Sequence, residues 1–331
     1  MGRKRRTKPT GDGVSQSTSG TSRSSSSKNS KRAKSIPTAG AGHAGGSCQA
    51  AGGRHATGPV AGVYPTSTGE VELRPDPFVA GGWEVFVNGV PSSHIAPDPL
   101  QLEYEYMRWI AAGCDVIINS RLDATKLRMT HLGGGACSLA RYFAQVYPKA
   151  RQTVVELDAE LARLVREWFD VPRAPRLKIR VGDARAVADG FSAASRDVVI
   201  RDVFAGAVTP YSVTTVEFLR AVHHGLAPGG LYVANCGDHA DLRGTRSELR
   251  SMAEVFTQVG VIADPPMLKG RRYGNIVLLG SDGPLPVAGD AAAAQLTKRL
   301  LAGAVPARYE DDEWVRGFMA VEGRVLFDER G

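Results

Sequence analysis

Residues 127–158 read LRMTHLGGGACSLARYFAQVYPKARQTVVELD, and this stretch decides the fold class. Leu127 to Leu132 is a short, mostly apolar run that ends in Gly133-Gly134-Gly135, which reads as a buried strand closed by a tight turn. Ser138 to Val146 carries apolar residues at helical spacing, and Thr153 to Leu157 is a second run rich in β-branched residues. Strand, glycine turn, helix and strand in that order make the βαβ unit of a parallel sheet.

The pattern continues downstream. Asp158 to Phe169 reads as a helix, Leu177 to Val181 as a strand closed by Gly182-Asp183-Ala184, and Asp197 to Ile200 as a strand ending at Arg201-Asp202. A helix over Thr214 to Leu226 stops at Pro228-Gly229-Gly230, and Leu231 to Ala234 is a fifth strand. A helix over Glu248 to Val259 follows, then a strand at Asn275 to Leu279 expected to pair with Met267-Leu268. The alternation predicts a doubly wound α/β sheet. Upstream, Trp83 to Val87, the pair Asn88-Gly89 and Val90 form a hairpin signal. Asp98 as N-cap and Pro99 at the first helical position predict a helix to Ala112, with Leu102, Tyr106, Trp109 and Ile110 on one core-facing side. The expected divisions are a disordered basic tail (1–62), a small β-hairpin and helix lead-in (63–120), a nucleoside-binding catalytic domain (121–285) and a C-terminal helical extension (286–331).

The chain has 331 residues, 43% hydrophobic and 23% charged, which excludes collagen-like, coiled-coil and wholly disordered classes. Its net charge of +7 is unevenly placed: residues 1–60 hold 11 Lys or Arg against one acid, Asp12, and the remainder holds 30 bases against 33 acids. The first aromatic residue is Tyr64, so the tail cannot bury enough apolar surface to offset its ordering entropy. Its two basic clusters, Arg3 to Lys8 and Lys28 to Lys34, could contact phosphates of a nucleic acid, but no aromatic residues interleave them for base stacking. Cys48, Cys114, Cys137 and Cys236 are scattered with no Cys-x-x-Cys pair, which fits a reducing compartment and offers no metal site. With no apolar run of membrane-spanning length and no apolar segment behind MGRKRR, the expected location is the cytoplasm, away from any membrane.

In doubly wound sheets, ligands bind beyond the carboxyl ends of the strands. Those ends carry Gly133, Gly134 and Gly135, then Glu156, then Asp183, then Asp202. Glycines allow close backbone approach and the next helix offers free N–H groups. Glu156, 21 positions after Gly135, suits the hydroxyls of a ribose; Asp183 suits an adenine amino group; Asp202 falls where the reacting part of the ligand would lie. Ser138 stands where a dinucleotide fingerprint needs its third glycine, and there is no Gly-Lys-Ser or Gly-Lys-Thr phosphate loop, so an adenosyl-sulfonium ligand without phosphates fits better.

His131-Leu132-Gly133-Gly134-Gly135, Val154-Val155-Glu156-Leu157-Asp158, Gly182-Asp183-Ala184 and Val199-Ile200-Arg201-Asp202, together with the lead-in Gly89-Val90-Pro91-Ser92-Ser93-His94, resemble the spermidine synthase (polyamine aminopropyltransferase) family over roughly residues 70–280. The resemblance implies a Rossmann-like sheet of the class I methyltransferase type behind a small N-terminal β domain. It implies an adenosyl site built from Gly133, Gly134, Gly135, Glu156, Asp158, Asp183 and Ala184, with Asp202 as general base. The donor would be decarboxylated S-adenosylmethionine (or S-adenosylmethionine itself), the acceptor a polyamine, and the assembly a homo-oligomer such as a dimer, without a metal. The sequence departs from the family pattern in three places. Ala136 and Cys137 stand where the family has Asp-Gly, Val203-Phe204-Ala205-Gly206 replaces Ser-Ser-Asp-Pro, and Ser92 replaces a Gln. Tyr104 matches a family tyrosine whose neighbouring His is here Glu105, and Glu105, Asp238 or Glu217 are candidates to replace the missing acids.

The alternatives are a methyltransferase using intact S-adenosylmethionine and a non-catalytic nucleoside-binding protein of the same fold. His131 reads as a packed strand residue, His223-His224 as helix surface, Cys137 as structural despite its place at a helix start, and Glu310 to Glu313 as a solvated face.

Overall fold

The computed structural model describes residues 58–206 and 208–329, so most of the expected tail, with its basic clusters and Cys48, lies outside the described residues. Four strands open the described chain: β1 (Gly62–Thr66), β2 (Gly69–Pro75), β3 (Trp83–Val87) and β4 (Val90–Ile95), paired in sequence order as an antiparallel sheet. The hairpin expected at Asn88-Gly89 is there, with both residues at positive φ (51° and 78°), the geometry two-residue hairpins favour. Val71, Leu73, Val85 and Ile95 point from one face of this sheet into a shared core with Leu161, Val165 and Trp168.

The expected helix at 98–112 is displaced. Asp98 folds back on its own segment, its carboxylate accepting from the Leu100 N–H and its carbonyl from the Gln101 N–H, and α1 runs instead from Glu105–Arg121. An Asp-Pro pair opens turns as readily as helices. The elements β5 (Arg128–Leu132), α2 (Ser138–Val146), β6 (Arg151–Glu156), α3 (Ala159–Trp168) and β7 (Leu177–Val181) follow the sequence pattern closely. They are followed by α4 (Ala184–Asp189), β8 (Arg196–Arg201), α5 (Val216–Gly225) and β9 (Leu226–Asp238). Next comes α6 (Arg243–Ala253), which starts five residues before the expected Glu248. The rest of that expected helix is strand: β10 (Gln258–Ala263) begins at Gln258 and takes Val259 with it. The chain then forms α7 (Pro265–Leu268), β11 (Gly274–Ser281), α8 (Ala291–Leu301), β12 (Arg308–Glu310) and α9 (Asp312–Ala320). β11 pairs with β9 and β10, while Met267 and Leu268 belong to α7, so the expected partner of the late strand is corrected.

The large sheet runs β12-β10-β11-β9-β8-β5-β6-β7, parallel from β7 through β9 and antiparallel beyond. Chain order reverses between β5 and β8, where such sheets open a crevice at their carboxyl ends. One face is covered by α1, α2 and α8 and the other by α4, α5, α6 and α9. Among the described residues no helix is long and apolar enough to cross a membrane.

Candidate active site

Gly133 leaves β5 at φ +86°, its N–H donating to the Val155 carbonyl. A Cβ there would lie 2.1 Å from the Asp202 carbonyl oxygen, so the turn closes this tightly against the end of β8 only without a side chain. The next two N–H groups, of Gly134 and Gly135, donate to Glu156 Oε2 at 3.1 and 2.9 Å, and Asp158 N–H donates to Oε1 at 3.0 Å. A carboxylate has about four lone-pair positions, so Glu156 shapes the glycine loop with three of them and keeps one acceptor position unfilled. Its burial pushes its pKa up, against the pull of those three N–H groups. Ser92 and Ser93 of β4 close over the loop: Ser93 Oγ accepts from Ala136 N–H at 3.0 Å, and a Cβ on Gly135 would come within 2.6 Å of it.

The next strand ends carry exposed apolar residues beside a polar edge. Leu157 and Val181 are 59% and 51% exposed, unusual for large apolar residues at the end of a buried sheet. Beside them Asp183 N-caps α4 through Oδ1, accepting from Ala186 N–H at 2.8 Å. Its other oxygen has no partner among the described residues, and Ala184 begins the helix with a free N–H end. An adenine ring covering Leu157 and Val181 would find both an acceptor and a donor there.

Asp202 lies just past β8, half-buried, gripped from two elements. Tyr106 of α1 donates its hydroxyl to Oδ2 at 3.2 Å, and Asn235 of β9 donates its amide to Oδ1 at 2.9 Å. Desolvation pushes the Asp202 pKa up, while these two donors and the adjacent Arg201 guanidinium pull it down. Arg201 is turned to the opposite face, fully buried, and paired with Glu248 of α6 and the Tyr232 hydroxyl. Tyr106 was legible only as a core residue, and Asn235 sits in an otherwise apolar strand, 33 positions from its partner. Tyr104 stacks on Tyr106 with ring centroids 6.1 Å apart; burial, then Glu84 and Glu105, push its pKa up to about 12.

Asp158 is not in this group. Its buried carboxylate takes four hydrogen bonds, from Ser67 N–H, Thr68 N–H, the Thr68 hydroxyl and Leu161 N–H, tying the β1–β2 turn to the start of α3. Two of the candidate replacement acids are also occupied: Asp238 accepts from Thr245 N–H and hydroxyl at 2.7 Å, and Glu217 from Asp328 N–H. Glu105 remains, in the first turn of α1. Cys137 is buried and its thiol is pushed up to about 12 by desolvation and then by Glu156, so it is no nucleophile. His131 is packed in β5 against Gln152, and His223 pairs with Asp282 on the surface. Asp311 caps α9, accepting from Trp314 N–H, and Asp312 pairs with Arg316, so these two acids are engaged rather than forming a free acidic face. A groove of about 1370 Å³ between α8, β12 and α9 carries none of the strand-end acids. Among the described residues no three His, Cys, Asp or Glu side chains converge as metal ligands.

No family model matches the chain. It is similar to the crystal structure of a probable spermidine synthase from Corynebacterium glutamicum: 60% identical, covering 82% of this chain and 98% of that one, with a TM-score of 0.80. It is also similar to a probable polyamine aminopropyl transferase of Bifidobacterium longum, 33% identical over 146 residues, 42% of this chain and 31% of that protein. A polyamine aminopropyltransferase of Vibrio vulnificus is 26% identical over 141 residues, 42% of this chain and 45% of that protein. These matches thus span less than half the length of the curated relatives.

Proposed function

The chain belongs to the spermidine synthase family, and from that membership we propose that it moves an aminopropyl group from decarboxylated S-adenosylmethionine to an amine, with Asp202 as general base. The observation that carries this reading is the Asp202 carboxylate, held by Tyr106 and Asn235 beside the glycine loop that Glu156 shapes. The sulfonium donor supplies an electrophilic carbon and leaves as a neutral thioether. Asp202 accepts the proton of the incoming ammonium, freeing the lone pair that forms the C–N bond as the C–S bond breaks toward sulfur. Tyr106 and Asn235 keep the carboxylate oriented and favour its ionised form. The residues present fit the donor's nucleoside: Glu156 for the ribose, Leu157 and Val181 for the base, Asp183 and Ala184 for its edge. The polyamine named for the relatives enters here as the acceptor class, through its amine end.

A methyl-transfer reading keeps one observation of its own: Ala136 and Cys137, both buried, place no carboxylate where the donor's free amine would need one. Incubating the protein with intact or decarboxylated donor and an amine, then analysing products by mass spectrometry, separates the two. Methylthioadenosine formed only from the decarboxylated donor supports aminopropyl transfer; S-adenosylhomocysteine from the intact donor overturns it.

A further inference from the structure

A buried ion pair lies behind the base. Arg201, the last residue of β8, is fully buried, and Glu248 of α6 is 2% exposed. Arg201 Nη2 donates to Glu248 Oε1, and Nε donates to the Tyr232 hydroxyl at 3.1 Å. Nη1 has no hydrogen-bond partner among the described residues. Taking two charges out of water is costly, and apolar side chains of similar volume often replace such a pair without loss, so stability is a weak reason for its presence.

The pair joins the two strands that carry the base and its partner. Arg201 anchors the end of β8 to α6 through Glu248. β9 is anchored to the same helix, where Thr245 donates its N–H and its hydroxyl to Asp238 at 2.7 Å and lies 3.7 Å from the Cys236 thiol. Thr245 and Glu248 are three residues apart, so one face of α6 grips both strand ends. Between these anchors Asn235 donates to Asp202 Oδ1 at 2.9 Å. The titratable groups facing the pair are Asp202 and, from β9, Tyr232, Cys236 and Asp238; Tyr106 of α1 faces Asp202. Burial pushes the Tyr232 hydroxyl and the Cys236 thiol up, so both stay neutral. Arg201 is thus a permanent cation beside Asp202, and it acts with Asn235 and Tyr106 against the desolvation of that carboxylate.

We propose that Arg201 and Glu248 are positioning residues of the reaction, the guanidinium setting the charge of Asp202 from behind the sheet and the pair holding Asp202 and Asn235 at bonding distance. This deepens the transfer reading and rests on it. Neither residue touches the substrates; both act through the base.

The test sets stability against pH dependence in two variants. Arg201→Met, Glu248→Leu and Tyr232→Phe together remove the network as a unit and leave no buried polar atom of it unpaired, so the urea midpoint should match or exceed that of the wild type. The acid limb of kcat/KM, with decarboxylated S-adenosylmethionine and putrescine, should nevertheless move up by about one pH unit, because Asp202 has lost its cation. Glu248→Gln keeps the guanidinium and leaves its charge uncompensated: the midpoint should fall while the limb stays in place or moves to lower pH. A purely structural pair gives the reverse order, with the repacked triple variant like the wild type and the destabilised single variant impaired. An unmoved limb in the triple variant, or a raised limb in Glu248→Gln, would overturn the proposal. Carbon-13 NMR titration of the Asp202 carboxyl, assigned by its loss in Asp202→Asn, reads the same shift without turnover. If no amine yields product yet Asp202 titrates about one unit higher in the triple variant, the transfer reading fails while the role of Arg201 stands. If turnover proceeds and Asp202 titrates alike in both proteins, the positioning role fails and the transfer reading stands.

Discussion

The Tyr106 hydroxyl reaches Asp202 Oδ2 across 3.2 Å, joining the first turns of α1 to the carboxyl end of β8. Because α1 follows directly on the N-terminal sheet, the placement of the base depends on how that sheet and helix dock. The contact favours the ionised carboxylate. Tyr106→Phe should therefore raise the Asp202 pKa and move the acid limb of kcat/KM to higher pH, with kcat lowered about tenfold. A pH–rate profile checks this; an unmoved limb would show that the hydroxyl does not act on the base.

Glu156 is expected to separate folding from binding. Glu156→Gln keeps a carbonyl acceptor for the loop N–H groups but removes the charge. The protein should fold, and its affinity for methylthioadenosine should fall about 10- to 100-fold by calorimetry.

Gly133→Ala should be severe. The new Cβ would meet backbone rather than a flexible side chain, at a φ that Ala rarely adopts. A loss of about 2–4 kcal/mol by urea unfolding is expected, with binding lost alongside.

His131 gives the stability a pH signature. Burial pushes its pKa down to about 4, below the ordinary value of ~6.5, so the unfolded chain takes up a proton that the folded chain refuses. Its contribution is fully present above pH ~6.5 and is lost as pH falls toward 4, about 3 kcal/mol over the interval. His131→Met should flatten that part of the stability curve, measured by urea unfolding at successive pH values.

The sequence carried the fold wherever local chemistry was strong enough to set it. α2 and β7 stand where periodicity and the glycine turns put them, and Asp158, Asp183 and Thr215 cap their helices as their residue types suggest. It misled where one local signal has two outcomes: Asp98-Pro99 makes a turn, and α1 starts later with no side-chain cap. β10 was hidden because Gln258 to Ala263 is a short apolar run continuous with a helical pattern, and pairing with β11 decides it. Within the site, the strand-end acids were legible from position alone. Tyr106 and Asn235 were not, because a buried tyrosine and an asparagine in a strand become functional only through a partner distant in sequence.

The most direct test of Asp202 as base is Asp202→Asn, which keeps acceptor geometry for Tyr106 while removing the charge. Single-turnover formation of methylthioadenosine from decarboxylated S-adenosylmethionine and excess amine should fall about 10²- to 10⁴-fold, with methylthioadenosine binding unchanged. Turnover within a few-fold of the wild-type rate would contradict the account.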